Sequence, residues 1–194
     1  MVVELSTETL PRQFDVKRFE DDYDIVCAVD RDFRISFCNQ AWDSAALQNG
    51  SEDLLRHRAV GSSILDAISP CLREFYYVHF RDVIDYRRQW HLFYLCSSAS
   101  LLREFKMVVQ PIPEDGVLVR HTLIAEKPHP FPALPPSHHY YDSRGHAAMC
   151  AHCRFTERQD GSDRWDWVPD FVETPPAHTE YVLCRLCARH FELK

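Results

Sequence analysis

Between positions 23 and 125, apolar and polar residues alternate or recur with periods that assign most of the chain. Ile25 to Asp30 (IVCAVD) and Arg34 to Asn39 (RISFCN) are rich in β-branched and aromatic residues and flank the turn Arg31-Asp32-Phe33, the pattern of a β-hairpin. NQAWDSAALQNG starts with a side chain suited to capping, carries Ala and Leu through its middle and stops at Gly50, so a short helix is expected. A polar, irregular stretch follows to about Ile68. Ser69-Pro70 then offers an N-cap with Pro in the first turn, and Leu72, Tyr76, His79, Val83 and Tyr86 recur at helical spacing, which predicts a long helix. After it, WHLFYLCSS, LLREFKMVVQPIP and VLVRHTLIAE are apolar runs separated by turn residues, the pattern of an antiparallel meander. The order ββααβββ, with no helix among the last strands, predicts an α+β domain with a five-stranded antiparallel sheet and helices on one face.

The pattern breaks at EKPHPFPALPPSHHYY. Pro at 128, 130, 132, 135 and 136 removes backbone donors and favours extended geometry, so residues 126–145 read as a linker. The chain then divides into an N-terminal cap segment (1–22), a body (23–125), the linker, and a cysteine-bearing tail (146–194).

Composition narrows the function classes. A length of 194 residues with 45% hydrophobic content suits one packed domain and a smaller appendage. No apolar run approaches a membrane span, and MVVELSTETLPRQ lacks the basic start and apolar stretch of a secretory signal, so no membrane association and a cytoplasmic location are expected. A net charge of -7 without a local basic patch argues against nucleic acid as a partner. With 5 Gly, and no phosphate-cradling loop, His-Glu-x-x-His helix or Gly-x-Ser-x-Gly elbow, catalysis is not expected.

In a reducing compartment, eight cysteines are more apt to bind metal than to cross-link. Cys150, Cys153, Cys184 and Cys187 form two Cys-x-x-Cys pairs, and two residues between thiolates let one tight turn aim both sulfurs at a point. Two such turns complete a tetrahedron, so a structural site with one zinc per chain is expected; a four-thiolate iron site and a redox-switched set of thiols share the spacing. Covalent haem attachment needs a His after the second Cys, where Arg154 and Ala188 stand. Neither pair is followed by Gly, which favours a turn plus a helix opening at CRLCARHFELK over a ribbon. His146, His152 and His190 surround the pairs and could replace a thiol or orient one from outside the ligand set, but they read as bystanders, because four thiols already fill the tetrahedron. A closed site leaves no position for hydrolytic chemistry. Cys27 and Cys38, nearly opposite on the first two strands, read as buried free thiols, with a redox pair as the alternative; Cys71 and Cys96 read as core.

Two resemblances extend this reading. Asp30, Ile35, Asn39 and Ala41 fill the "D-x-x-x-x-I-x-x-x-N-x-A" signature of a PAS domain, and GSSILD (Gly61 to Asp66) resembles that family's "G-x-x-x-x-D" segment. Phe33 departs from it, since Gly is common in the first turn. The resemblance implies a sensory or protein-interaction module with a possible small-molecule ligand in a pocket between sheet and helices. It also makes His79 a cofactor-binding candidate, because haem-binding members can carry a proximal His on this helix. The flavin-binding "N-C-R-F-L" signature has no match in the body, since CRF occurs only at Cys153 to Phe155. The tail, with its four Cys and Trp165 or Trp167, resembles a short "C-S-x-C-K … W … C-P-x-C" segment that follows PAS or receiver modules in bacterial signalling proteins, although no Pro follows Cys184. Together these imply a stand-alone, non-catalytic module of bacterial signal transduction acting through an unidentified signalling protein. Leu10, Phe14, Val16 and Phe19 could pair a second copy, so a homodimer is expected. The rival expectation is a tail that acts as a redox- or metal-responsive switch.

Overall fold

The computed structural model of the chain describes residues 17–112 and 116–192. In chain order the first elements are α1 (Lys17–Glu20), β1 (Ile25–Val29), β2 (Ile35–Cys38), α2 (Gln40–Gln48), α3 (Arg56–Ala59) and α4 (Pro70–Tyr86). They are followed by β3 (Trp90–Leu95), β4 (Leu101–Ile112) and β5 (Gly116–Pro128). The architecture is α+β, with a five-stranded antiparallel sheet in the order β2-β1-β5-β4-β3. Short connections between β3, β4 and β5 permit only antiparallel neighbours, because a parallel return needs a crossover of a dozen or more residues.

Contacts divide the chain into two compact units, one of residues up to 68, 72–93 and 106–123, the other of 69–71, 94–105 and 124–194. In the first, β1 lies between β2 and β5, and Val26, Cys27, Ala28 and Val29 are all buried. Successive side chains point to opposite faces, so continuous burial means that both faces of β1 are covered. Val26, Ala28, Phe37, Ile112 and Leu118 form a core cluster, with Phe19 packed against it. The other candidate cap residues, Leu10, Phe14 and Val16, lie outside the described residues.

The hairpin signature has a physical basis. Asp30 Oδ1 accepts from the N–H groups of Asp32 and Arg34, closing the turn, and Ile35 beyond it is buried. Phe33 takes a left-handed φ of 62°. The Gly61 segment docks on this hairpin, with Ile35 N–H donating to Ser62 O and Gly61 N–H donating to Ile35 O. Asn39 caps α2 by accepting from Trp42 N–H.

The long helix begins at Pro70, where Ser69-Pro70 places it. Its buried face is set by Leu72, Phe80, Val83 and Ile84, while Tyr86 is 70% exposed. Phe80 and Ile84 therefore occupy the inward stripe in place of the last Tyr of the expected one. Cys71 and Cys96, expected in the core, are only half-buried.

The second unit adds β6 (Ala147–Cys150), β7 (Thr156–Glu157), β8 (Trp165–Asp166), α5 (Pro169–Glu173), β9 (Thr179–Val182) and α6 (Arg185–His190). Its small sheet has the order β8-β7-β6-β9, with β9 parallel to β6. The Pro-rich stretch is tied into this unit. β5 runs on through Pro128, Leu134 N–H donates to Trp167 O, and Gln159 N–H donates to His139 O. Tyr140, 1% exposed, packs with Met149, Val168 and Phe171, and its hydroxyl donates to Asp166 Oδ2 at 3.0 Å.

Candidate metal centre

The parallel pairing of β6 with β9 places Cys150 opposite Val182. Cys150 ends its strand there, and Cys184 lies two residues beyond the partner strand's end. A tight reversal follows Cys150: its N–H donates to Phe155 O, Arg154 N–H donates back to Cys150 O, and Arg154 takes a left-handed φ of 66°. Arg154 thus adopts the conformation for which glycine is usually used. Cys153 sits inside this reversal, directed back toward Cys150.

On the other side, Cys184 is the N-cap of α6 and Cys187 lies in its first turn. Three residues apart on a helix is one face, so both sulfurs point the same way. The four Sγ atoms all lie within 4.8 Å of one another, and Cys153 Sγ is 3.8 Å from Cys184 Sγ. A regular tetrahedron with metal–sulfur bonds of about 2.3 Å has sulfur–sulfur edges of about 3.8 Å. The donor set therefore fits a four-thiolate metal site. All four are free cysteines, with Cys150, Cys184 and Cys187 buried and Cys153 half-buried. Trp165 and Leu183 pack against the cluster.

The electrostatics point the same way. Hydrogen bonds from Cys153, Cys184 and Cys187 hold the Cys150 thiol far below the ordinary range. The Cys153 and Cys187 thiols are pushed well up, chiefly by their bonds to Cys150. Four thiolates cannot share so small a volume unless a cation neutralises them. Cys184 N–H also donates to Cys150 Sγ at 3.5 Å.

The three neighbouring histidines differ. His146 faces Glu180, Nδ1 to Oε1 3.8 Å, and His190 stacks on His152 with ring centroids 5.0 Å apart. His152, 7% exposed, places Nδ1 3.3 Å from Cys187 Sγ and accepts from Leu95 N–H at Nε2, 2.9 Å. Burial, with His190 nearby, lowers its pKa to about 4. The sequence carries its only hint in Cys-Ala-His-Cys, where the histidine lies inside the first pair. A cavity of about 570 Å³ borders the cluster, lined by Leu95, Leu102, Phe131, Phe155 and Leu186 as well as Cys153. At its wall the His129 ring lies flat against Trp167, centroids 3.5 Å apart.

The remaining candidates lie in the first unit. His79 stacks on Trp90 with centroids 4.4 Å apart and borders a groove of about 240 Å³, below the range of about 300–1,000 Å³ usual for small-molecule sites. Cys27 and Cys38 face each other in the β1–β2 register and both are buried. Burial pushes the Cys27 thiol up to about 12 and raises that of Cys38, so both are neutral thiols at ordinary pH.

No protein-family model matches the chain, and no curated protein matches it significantly. Among the described residues no helix is long and apolar enough to cross a membrane.

Proposed function

We propose that the protein is a non-catalytic sensory or interaction module of the PAS type, whose C-terminal unit is organised by one structural zinc on Cys150, Cys153, Cys184 and Cys187. The observation that carries the zinc reading is the convergence of four sulfurs within 4.8 Å, three of them buried. Zinc accommodates a closed tetrahedron of thiolates with no open position, which suits structure and not turnover. The PAS reading is supported by the residues that fill the signature: Asp30 closes the hairpin turn, Ile35 is buried behind it and Asn39 caps the following helix. Such a module acts through a partner, by shifting between arrangements that a ligand or metal biases.

Elemental analysis with a visible spectrum of the purified protein tests this. Colourless protein with about one zinc per chain is expected. Iron bands or a haem spectrum overturn the zinc assignment, and metal-free protein with paired disulfides overturns the site itself.

A second reading, a redox- or metal-responsive switch, is favoured by the half-buried Cys153 beside the cavity. Thiol titration and zinc content under mild oxidant separate the two. A structural site keeps its zinc, whereas a switch releases it as thiols are lost.

A further inference from the structure

We infer that His152 is a positioning residue of the cysteine centre, holding Cys187 through a hydrogen bond to its sulfur while capping the main chain of β3 at Leu95. The inference rests on the reading of the four sulfurs as a metal site.

The ring's proton is located by its partners. A backbone N–H can only donate, so the Nε2 that receives Leu95 N–H at 2.9 Å is the bare nitrogen. The one proton of a neutral imidazole is then on Nδ1, and Nδ1 is 3.3 Å from Cys187 Sγ. The ring therefore donates to the sulfur.

The Leu95 amide needs this partner. β3 is an edge strand of the sheet. Its next residue, Cys96, donates inward to Arg103 O. Successive amides on a strand point to opposite sides, so the N–H of Leu95 faces away from the sheet, where an unpaired donor is a liability. His152 covers it. His190, stacked on one face at 5.0 Å, and Phe191, edge-on at 5.1 Å, hold the ring plane.

A proton shared with a thiolate draws charge from the sulfur and fixes its direction, the role outer partners play for metal ligands generally. Here the same ring ties that sulfur to a strand-end amide, so loss of either bond loosens the other.

The test uses full-length protein reconstituted with cobalt(II), whose sulfur-to-metal absorption reports on thiolate charge. His152→Asn keeps a donor near the Nδ1 position without reaching Leu95. His152→Gln reaches Leu95 with an amide oxygen but has no donor near Nδ1, and His152→Phe has neither. The expected result is a sulfur-to-cobalt band at lower energy and about a 10–100-fold loss of metal affinity in the Gln and Phe variants, with the Asn variant close to wild type. Hydrogen exchange at the Leu95 amide should quicken in the Asn and Phe variants and not in the Gln variant. A packing role alone would move all three variants together, and that outcome overturns the inference. So does a wild-type ring carrying its proton on Nε2, read by nitrogen NMR. If wild-type protein takes up no cobalt, the metal reading fails on its own, and the ring-proton position and the exchange pattern still decide the role of His152.

Discussion

Cys153 Sγ and Cys184 Sγ lie 3.8 Å apart, although residues 154–183 separate them along the chain. A disulfide would bring them to about 2.05 Å, whereas two corners of a thiolate tetrahedron stand at about 3.8 Å. The small sheet has two-residue strands β7 and β8, and besides this junction the unit is held by the β6–β9 pairing and the cluster of Tyr140, Met149, Val168 and Phe171. On the zinc reading, a chelator is expected to speed amide exchange across residues 146–192 while β1 stays protected. Cys184→Ser should do the same without chelator, since it removes one sulfur from the set while leaving a residue suited to the α6 N-cap. Equal protection of the tail with and without metal would show that the ion contributes nothing to its order.

Asn39 is buried completely and engages both ends of its amide. Oδ1 accepts from Val26 N–H and Trp42 N–H, each at 3.1 Å, while Nδ2 donates toward the carbonyls of Phe19, Asp22 and Asp24. Asn39→Ala loses a helix cap, about 1 kcal/mol, and leaves buried groups unpaired at about 1–3 kcal/mol more. Asn39→Asp should be at least as costly, because a carboxylate would face three carbonyls. Urea unfolding followed at β1 measures both; a loss below about 1 kcal/mol in Asn39→Ala would contradict the account.

These relationships mark how far the sequence could be read. The hairpin, the capped helix, the long helix from Pro70 and the antiparallel meander all follow from period and capping, which are local properties. The convergence of the cysteine pairs was legible because metal geometry constrains spacing. Periodicity places Tyr86 on the inward stripe of α4, where it is in fact exposed, because period alone does not say which of several aromatics faces the core. Proline's missing donors make residues 126–145 look like a linker, but the packing of Tyr140, with its hydroxyl on Asp166, depends on residues far away in sequence. Four thiols fill a tetrahedron and leave His152 no place in it on stoichiometric grounds, and its contacts with Leu95 and Cys187 are long-range ones that spacing does not carry.

Phe33 shows a local rule overridden by burial. Its φ of 62° is a conformation that suits Gly, yet the side chain is 5% exposed, lies 5.1 Å from the Tyr77 ring, and carries the Arg81 guanidinium 4.8 Å above its face. The left-handed backbone costs about 1–2 kcal/mol, whereas truncating a buried Phe costs about 3–5 kcal/mol. Phe33→Gly is therefore expected to destabilise the protein by about 1–4 kcal/mol despite relieving the backbone, and Phe33→Ala by more than Phe33→Gly. A thermal or urea series in which the Gly variant equals or exceeds wild type would show that the turn, not the ring, dominates.

Acid stability follows from His121, which pairs with Ile25 across β1 and β5. Burial lowers its pKa from 6.5 to about 4, with Asp24 pulling weakly the other way. In the unfolded chain this histidine takes up a proton near pH 6.5, while in the folded chain it resists until about pH 4. Between those values the unfolded state binds more protons, so stability is full above the window and falls as pH drops through it. One proton limits the slope to about 1.4 kcal/mol per pH unit. His121→Gln keeps a polar side chain and cannot titrate, so urea midpoints followed at β1 and β5 should decline less steeply between pH 6.5 and 4 than in wild type. Parallel wild-type and His121→Gln profiles across that window would place the acid-sensitive proton elsewhere, with His129, whose pKa burial also lowers, as the next group to replace.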